Sequence, residues 1–351
     1  MMLQAQRFQL DAPPVSCQRY GSGHINETYL VVTGSGRRYI LQKINHTIFR
    51  DVPALMANIA AVTRHLRGAD ARPRHVLTLV PTLTGEDFLH EPGAGYFRVY
   101  DFVEDSLCLD RAESPADFAA SAQAFGHFQR MLAGFDAAAL SETIPRFHDT
   151  PNRFRLLRQA IQQDALGRLK TCRREADFAL GLEAEAARMQ DMGRRGQLPL
   201  RVTHNDTKLN NVLLDAATRQ PLCVIDLDTV MPGLAGNDFG DSIRFGASTA
   251  AEDEPDLDKV TLSLPLYQAY TAAYLAACGQ GLTPLERETL PLGAKLMTLE
   301  CGVRFLTDYL QGDTYFRVHR PGHNLDRCRT QFKLVADMQA KWDDMRRAVQ
   351  G

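Results

Sequence analysis

The sequence has no Cys-x-x-Cys pair, although it contains seven cysteines. These cysteines are scattered and odd in number, so they indicate neither a zinc site nor a thioredoxin-like redox motif, and reduced structural thiols are expected. No apolar run approaches the roughly 18 residues of a membrane span, and residues 1–14 lack the apolar core of a signal peptide. The expected location is therefore cytoplasmic, with no membrane partner.

An excess of charge of either sign is also missing. Forty Lys and Arg residues are balanced by 42 Asp and Glu residues, which leaves a formal net charge of -2. Because the chain has no strong overall field, recruitment of nucleic acid or of an anionic surface is not expected. A chain of 351 residues can bury a large core. At roughly 100–200 residues per domain, this length predicts two lobes or domains.

The most informative stretch is residues 201–228, which contains the pattern His-x-Asp-x-x-x-x-Asn at His204, Asp206 and Asn211. Two β-type runs, 211–214 and 222–227, flank a turn and predict a hairpin that brings Asp226 back beside Asn211. A kinase catalytic loop needs such a set, with one Asp to orient the attacking hydroxyl and an Asn and a second Asp to hold metal ions. His204 is interpreted as bracing the loop. On the second strand, Asp228 would share a face with Asp226 and add a metal or water contact.

A glycine-bearing turn precedes the motif near the N-terminus. Gly21 and Gly23 lie one residue apart, but a β-type run follows them where a dinucleotide-binding fingerprint requires a helix. Two strands with Lys43 on the second instead suit a kinase-type phosphate cover and its strand lysine. A plain hairpin with an exposed lysine is the simpler alternative for this segment taken alone.

The usual acidic partner of such a lysine is absent. Apolar spacing predicts a helix over 54–66, preceded by Pro53, but this helix contains no Glu. Either the phosphates alone hold Lys43, or another acid such as Glu27 or Asp51 supplies the pair.

The chain changes character after Val103. β-type runs dominate before it, and helical periodicity dominates after it. The sequence thus predicts an α+β, bilobal, protein-kinase-like fold with a small antiparallel-sheet lobe at 1–103 and a larger, mostly helical lobe at 104–351. Phe102 and Val103 would form the hinge, whose backbone groups face adenine.

Peptide substrates are not expected. Asp226 is followed by Leu-Asp and not by Phe-Gly, and no Ala-Pro-Glu occurs downstream, so two marks of the protein kinases are missing. The helical C-terminal part more plausibly encloses a small molecule.

Several motifs resemble one family over most of the chain. They begin at Gly21 (Gly-Ser-Gly-His-Ile-Asn-Glu-Thr), Ile144 (Ile-Pro-Arg-Phe-His-Asp-Thr-Pro), Thr203 (Thr-His-Asn-Asp-Thr-Lys-Leu-Asn-Asn), Val224 (Val-Ile-Asp-Leu-Asp-Thr-Val-Met-Pro-Gly), Gly240 (Gly-Asp-Ser-Ile-Arg-Phe) and Glu300 (Glu-Cys-Gly-Val-Arg-Phe-Leu-Thr-Asp-Tyr). The sequence resembles the aminoglycoside phosphotransferase-like superfamily and, within it, the N-acetylhexosamine 1-kinases. The resemblance implies ATP- and Mg²⁺-dependent phosphorylation of the anomeric hydroxyl of N-acetylglucosamine or N-acetylgalactosamine. It also implies that His24, Asp206, Phe245, Arg304 and Tyr315 face the sugar.

Alternatives stay open at this point. Glu300 and Arg304 are four residues apart on a predicted helix and would also suit a simple ion pair. Asp241 either caps its helix or supports the metal site. The enzyme alternatives are a kinase for an aminoglycoside, an amino alcohol or another hexose, and the alternative of another class is an inactive nucleotide-binding homologue. The sequence does not decide between the two N-acetylhexosamines, and it leaves the oligomeric state open.

Overall fold

The computed structural model describes residues 1–21 and 25–350. The N-terminal part begins with helix α1 (Met2–Ala5) and contains the strands β1 (Pro14–Arg19), β2 (Glu27–Thr33), β3 (Arg38–Ile44), β4 (Leu79–Val80), β5 (Leu89–Glu91) and β6 (Gly95–Asp101). They form one antiparallel sheet in the order β1-β2-β3-β6-β4, with β5 also paired to β6. All six strands precede residue 104.

Helix α2 (Val52–Ala69) lies between β3 and β4. Asp51 starts this helix by accepting a hydrogen bond from the Ala54 N–H at 3.0 Å, and Pro53 occupies its first turn, where a missing N–H has no cost. The apolar stripe of α2 includes Leu55 and Ile59 and packs against one face of the sheet.

The sheet therefore has two distinct faces. The inner face carries Ile40, Ile44 and Tyr100 and packs on α2, whereas the outer face carries Tyr39 and Leu41 and packs on the N-terminal segment around α1. Successive side chains of a strand point to opposite faces, so one residue of offset decides which face a side chain joins.

The remaining strands are short and lie around the stretch 201–233. They are β7 (Ser106–Cys108), β8 (Arg201–Thr203), β9 (Val212–Asp215), β10 (Pro221–Val224) and β11 (Met231–Gly233). The hairpin β9–β10 extends to β7, while β8 pairs with β11.

Helices form the bulk of the C-terminal part. They are α3 (Pro115–Met131), α4 (Thr150–Gln163), α5 (Arg173–Gly181), α6 (Glu183–Ala186), α7 (Arg188–Arg194), α8 (Ala235–Gly246), α9 (Leu264–Cys278), α10 (Pro284–Gln311), α11 (His323–Ala340) and α12 (Trp342–Gln350). Helix α10 starts with a capping box between Thr283 and Glu286 and ends at Gly312 in the left-handed region.

Helices α8 and α10 pack with their backbones in direct contact. A Cβ on Gly240 would overlap the carbonyl of Gly293, lying 2.7 Å from its carbon, and a Cβ on Gly293 would lie 2.9 Å from the carbonyl carbon of Gly236. Only glycine permits this approach, which places α8 directly under the catalytic motif.

The expected fold class is confirmed: an antiparallel N-terminal sheet is followed by a mostly helical region. Among residues 1–21 and 25–350, none of the helices combines the length and the apolar character needed to span a bilayer.

Candidate active site

Asp206 lies at the centre of the catalytic loop between β8 and β9. Its Oδ1 is 2.8 Å from Nζ of Lys208, and its Oδ2 accepts a hydrogen bond from Nδ2 of Asn211 at 3.0 Å. Nδ2 of Asn211 also donates to the backbone carbonyl of Asp206 at 2.8 Å, which leaves Oδ1 of Asn211 as the free side-chain acceptor. The Asp206 carboxylate is thus held in one orientation with part of its surface open.

Helix α8 holds the loop from below. Asp238 accepts hydrogen bonds from the N–H groups of His204 and Asn205, each at 2.8 Å, and Asp241 accepts one from the N–H of Thr207 at 3.0 Å. Burial raises the pKa of Asp238. Burial also acts against ionisation of Asp241, but Arg244 and Lys208 hold the pKa of Asp241 below its ordinary value. Buried carboxylates with such partners fix the loop backbone in position.

Asp241 therefore acts as a support and not as a helix cap, because it lies inside α8. Asp238 was missed in the sequence. The signal available was a pair of acids three residues apart on a helix that follows the catalytic hairpin, so that both point to one side of the helix.

His204 is fully buried and braces the loop, as expected from its position in the motif. One ring nitrogen, Nε2, lies 2.9 Å from the carbonyl oxygen of Ile225, and Nδ1 accepts a hydrogen bond from the N–H of Asp206 at 3.3 Å. The imidazole thereby links the loop that carries Asp206 to the segment that carries Asp226.

Asp226 is brought back to the loop, but not on a strand. The N–H of Ile225 donates to the carbonyl of Asn211 at 2.9 Å, which sets the register of the hairpin. Strand β10 ends at Val224, Asp226 adopts a left-handed conformation with φ 59°, and a 3₁₀ turn over Leu227–Thr229 follows. The expected strand to residue 227, with Asp226 and Asp228 on one face, is wrong because the left-handed residue breaks the alternation.

Asp228 consequently turns towards the N-terminal sheet. One carboxylate oxygen lies 2.5 Å from Nη1 of Arg98, and the other accepts a hydrogen bond from Nδ2 of Asn26 at 2.5 Å. Arg98 is 1% exposed, and its Nε and Nη2 donate to Oε1 of Gln42 at 2.9 and 2.8 Å. Burial acts against the charge of Arg98, but Asp228 holds the pKa of Arg98 above its ordinary value.

Lys43 is not part of this group. Successive side chains of β3 point to opposite faces of the sheet. Gln42 lies on the inner face, where it binds Arg98, so Lys43 lies on the outer face with Leu41. Among the described residues, no carboxylate lies within 4.0 Å of its Nζ. The acids considered as its partner are engaged elsewhere: Glu27 lies 3.6 Å from Arg19, and Asp51 caps α2.

The glycine turn and the hinge lie at the edge of the sheet. Gly21 has φ 73°, which suits glycine, whereas the expected contacts of Gly23 and His24 lie outside the described residues. The rings of Tyr20 and Phe102 meet edge to face with centroids 5.9 Å apart. Within the described part of the chain, neither the carbonyl of Phe102 nor the N–H of Val103 has a hydrogen-bond partner, so both are available to a ligand.

A concentration of negative charge marks the floor of the cleft. Enclosure by protein, together with the carboxylates of Asp228 and Asp206, raises the pKa of Asp226 to about 7. The Asp226 carboxylate has no hydrogen-bond partner among the described residues. With Oδ1 of Asn211 it forms a pair of hard oxygen donors, which is the donor type that Mg²⁺ prefers. No group of three His, Cys, Asp or Glu side chains in the described ranges could hold a metal ion by itself.

Arg304 lies on α10, beside a group of aromatic side chains. Its guanidinium carbon is 5.8 Å from the ring centroids of Phe147 and Tyr315 and 5.3 Å from that of Phe316. Among the residues that the structure describes, Arg304 has neither a hydrogen-bond acceptor nor a carboxylate within 4.0 Å. Tyr315 is 71% exposed, so this aromatic group is open on one side.

Asp308, one turn beyond Arg304, shapes the loop that carries Tyr315. It accepts hydrogen bonds from three consecutive N–H groups, those of residues 314–316, at 2.8–2.9 Å. This buried carboxylate explains why an exposed tyrosine stays beside Arg304.

Glu300 does not pair with Arg304. It accepts hydrogen bonds from Thr150 Oγ1 at 2.6 Å and lies 3.1 Å from His148 Nδ1. Burial opposes its ionisation, but His148 and the charge of Arg304 hold the pKa of Glu300 below its ordinary value. The helix ion pair considered from spacing alone is therefore wrong.

Phe245, another residue expected to face the sugar, lies on α8. Phe245 lines a cavity of about 480 Å³ together with Leu209, Arg244 and Glu252. Neither Arg304 nor Tyr315 lines that cavity.

The fold and the site together define a class: a kinase-like phosphotransfer site between an antiparallel sheet and a helical region. The model of the APH family, described as the phosphotransferase enzyme family, matches residues 16–276. The chain belongs to this family and is a phosphotransferase.

Solved structures share the fold. An aminoglycoside phosphotransferase from Alicyclobacillus acidocaldarius has a TM-score of 0.63 at 15% identity, covering 100% of this chain and 96% of that chain. An amicoumacin kinase in complex with AMP-PNP, Ca²⁺ and Ami has a TM-score of 0.62 at 14% identity, with coverage of 95% and 92%. A choline kinase from Cryptosporidium parvum has a TM-score of 0.57 at 13% identity, with coverage of 94% and 90%.

Proposed function

We propose that the protein phosphorylates the anomeric hydroxyl of N-acetylglucosamine or N-acetylgalactosamine with ATP, giving the sugar 1-phosphate. Phosphotransfer follows from the family, and the sugar is supported by the motifs at residues 21–28, 144–151 and 300–309 that resemble the N-acetylhexosamine 1-kinases. The observation that carries the choice of a neutral acceptor is the unpaired guanidinium of Arg304 beside three aromatic rings.

The proposed nucleotide site is formed by backbone groups and side-chain oxygens that have no partner in the described part of the protein. The backbone at Phe102 and Val103 would meet adenine, and the turn at Gly21 and Gly23 would cover the phosphates. Asn211 and Asp226 would hold Mg²⁺, which neutralises phosphate charge when it is bound. The amicoumacin kinase, whose structure contains AMP-PNP and Ca²⁺, is consistent with a nucleotide and a divalent cation in this fold.

Asp206 is the proposed catalytic residue. Its carboxylate would accept a hydrogen bond from the anomeric hydroxyl and align it with the phosphate that is transferred. Lys208 offsets the negative charge of Asp206 at 2.8 Å, and Asn211 fixes the carboxylate plane. The group therefore works mainly by orienting the hydroxyl, and the spacing of the motif did not reveal the part of Lys208 in it.

The acceptor side favours a neutral sugar over a cationic alcohol. A guanidinium donates hydrogen bonds to hydroxyl or acetamido oxygens in fixed geometry, and aromatic rings pack on apolar sugar faces. A cationic substrate would instead need an unpaired carboxylate. Glu300 binds His148 and Thr150, Asp241 and Glu252 bind Arg244, and Asp226 is assigned to Mg²⁺ in this proposal. Phe245 and His24 stay proposed sugar contacts.

A substrate panel tests this proposal. ADP release is measured with N-acetylhexosamines, plain hexoses, choline-like alcohols and aminoglycosides, and the product is identified by coupling between phosphorus and the anomeric proton. Turnover of an N-acetylhexosamine to the 1-phosphate is expected. Turnover of choline or an aminoglycoside alone would support the alternative alcohol kinase, and no turnover with any acceptor would support the inactive homologue.

A further inference from the structure

The buried cation of the cleft is Arg98, which lies on β6 and not on β3. A kinase of this fold ordinarily needs a lysine on the third strand paired with a Glu on the following helix. Here the inner face of β3 presents Gln42, and the helix α2 presents Met56, whose Sδ lies 3.9 Å from Nη1 of Arg98. Neither member of the usual pair is present on the inner face in the described part of the chain.

Arg98 and Asp228 form an ion pair in the corresponding place. Arg98 is 1% exposed and Asp228 is 3% exposed, so both charges have been removed from water. Such a pair gives little net stability, since desolvation offsets most of the attraction, but it strongly favours one arrangement of the two elements. The pair therefore fixes the position of the segment that carries Asp228 relative to β6.

The pair joins two distant parts of the molecule. Arg98 and Gln42 lie on β6 and β3, and Asn26 immediately precedes β2, whereas Asp228 follows Asp226 by two residues. Asn26 is itself fixed, because its Oδ1 accepts the N–H of Asn45 at 3.0 Å. We name Asn26, Gln42, Arg98 and Asp228 the interlobe clasp.

The clasp also removes Asp228 from the metal donors. Both of its carboxylate oxygens have partners in the N-terminal part of the chain, one in Arg98 and one in Asn26. The Asp226 carboxylate, in contrast, has no partner among the described residues. The left-handed backbone of Asp226 lies between two fixed neighbours, Ile225, whose carbonyl contacts His204, and Asp228.

We propose that Arg98 is a positioning residue that replaces the usual pair of strand lysine and helix Glu. Through Asp228, Arg98 holds Asp226 and the segment after the glycine turn in the positions that a nucleotide–Mg²⁺ complex requires. The proposal rests on phosphotransfer, not on the identity of the acceptor. Arg98 acts through Asp228 and does not itself touch the phosphates, since all three of its guanidinium nitrogens have protein partners.

Nucleotide binding without any sugar provides the test. Calorimetry compares AMP-PNP with and without Mg²⁺ for the wild type, for Asp228→Asn and for the charge-free double variant Arg98→Met with Asp228→Leu. The affinity for AMP-PNP with Mg²⁺ should fall by about 10- to 100-fold, the range for residues that orient metal ligands. Affinity for AMP-PNP alone should not change, because the hinge is intact.

Arg37→Met is the matched control. Arg37, which immediately precedes β3, pairs with Asp101 of β6 at 2.8 Å, and both side chains are partly exposed. Its loss should leave both affinities at wild-type values.

If the double variant does not fold, Asp228→Asn still answers the question, because it keeps the side-chain volume and a bond to Asn26. If either Asp228→Asn or the double variant folds and binds AMP-PNP with Mg²⁺ as tightly as the wild type, the proposal is overturned. Because no acceptor is present, that result is independent of the proposed sugar.

Discussion

At the scale of single residues, Asp206 is held between a cation and an amide that fix its orientation. Lys208 and Asn211 bind its two oxygens at 2.8 and 3.0 Å, so the carboxylate is already aligned before a substrate enters. This arrangement separates its role in the transfer step from nucleotide binding, which depends on other groups.

Asp206→Asn is therefore expected to lower kcat by roughly 10²- to 10⁴-fold, the typical contribution of a positioned acid–base group. The affinity for AMP-PNP should stay at the wild-type value because asparagine keeps the shape of the loop. Steady-state kinetics and calorimetry measure the two quantities. An unchanged kcat would remove Asp206 from its proposed role.

Arg304→Leu tests the acceptor side. We expect the KM for the sugar to rise roughly tenfold or more, as for the loss of hydrogen bonds to a charged group, with no change in the KM for ATP. Arg304→Lys should have an intermediate effect because it keeps the charge but loses the planar fork. The partners of Glu300 are His148 and Thr150, so α10 keeps its contacts. An equal rise in both KM values would mean that the helix had been damaged.

The two lysines near the motifs provide a matched pair. Lys43 lies on the outer face of the sheet, whereas Lys208 is 2.8 Å from Asp206. Lys208→Met should lower kcat, because an uncompensated carboxylate would face the charged phosphate. Lys43→Met should leave kcat and the KM for ATP unchanged. A higher KM for ATP in Lys43→Met would instead return this residue to the phosphate site.

At the scale of elements, α8 determines where the catalytic loop lies. Asp238 and Asp241 on this helix bind three backbone N–H groups of the loop. The helix is itself fixed by its glycine contact with α10, so the distance between the loop and Arg304 depends on how closely α8 and α10 pack. A change in that packing would affect stability and catalysis together.

Gly240→Ala tests this packing. The added methyl would overlap the backbone of Gly293, and overpacking of this kind typically costs about 1–3 kcal/mol of unfolding free energy. Gly68→Ala is the control, because Gly68 lies in α2 with nothing within 4 Å of the new Cβ. That change should stabilise by about 0.4–1 kcal/mol. Chemical denaturation measures both, and equal effects would exclude the close approach as the cause.

At the scale of the whole molecule, the cleft is formed by two parts that are joined by few but specific contacts. The clasp connects the sheet to the segment after Asp226, and the hinge at Phe102 and Val103 connects them through the backbone. The division at residues 103 and 104 stays a prediction, as does the closure of the cleft around a nucleotide.

The sequence by itself determined the catalytic hairpin and the class of fold. Asp206, Asn211 and Asp226 lie within one short segment, so their spacing and the turn between two strands were sufficient to bring them together. The order of sheet and helices was likewise visible from periodicity. Local patterns carry such information because the contacts involved are local.

Only the tertiary structure decided which cation faces the cleft and what Asp228 does. A single charged residue in the apolar run 96–100 was the available signal for Arg98, but its partner lies far along the chain. Side chains alternate along β3, so one residue of offset places Gln42 inside and Lys43 outside. The left-handed Asp226 then turns Asp228 to the sheet. Contacts between residues distant in sequence depend on how the elements pack, and spacing alone does not encode that packing.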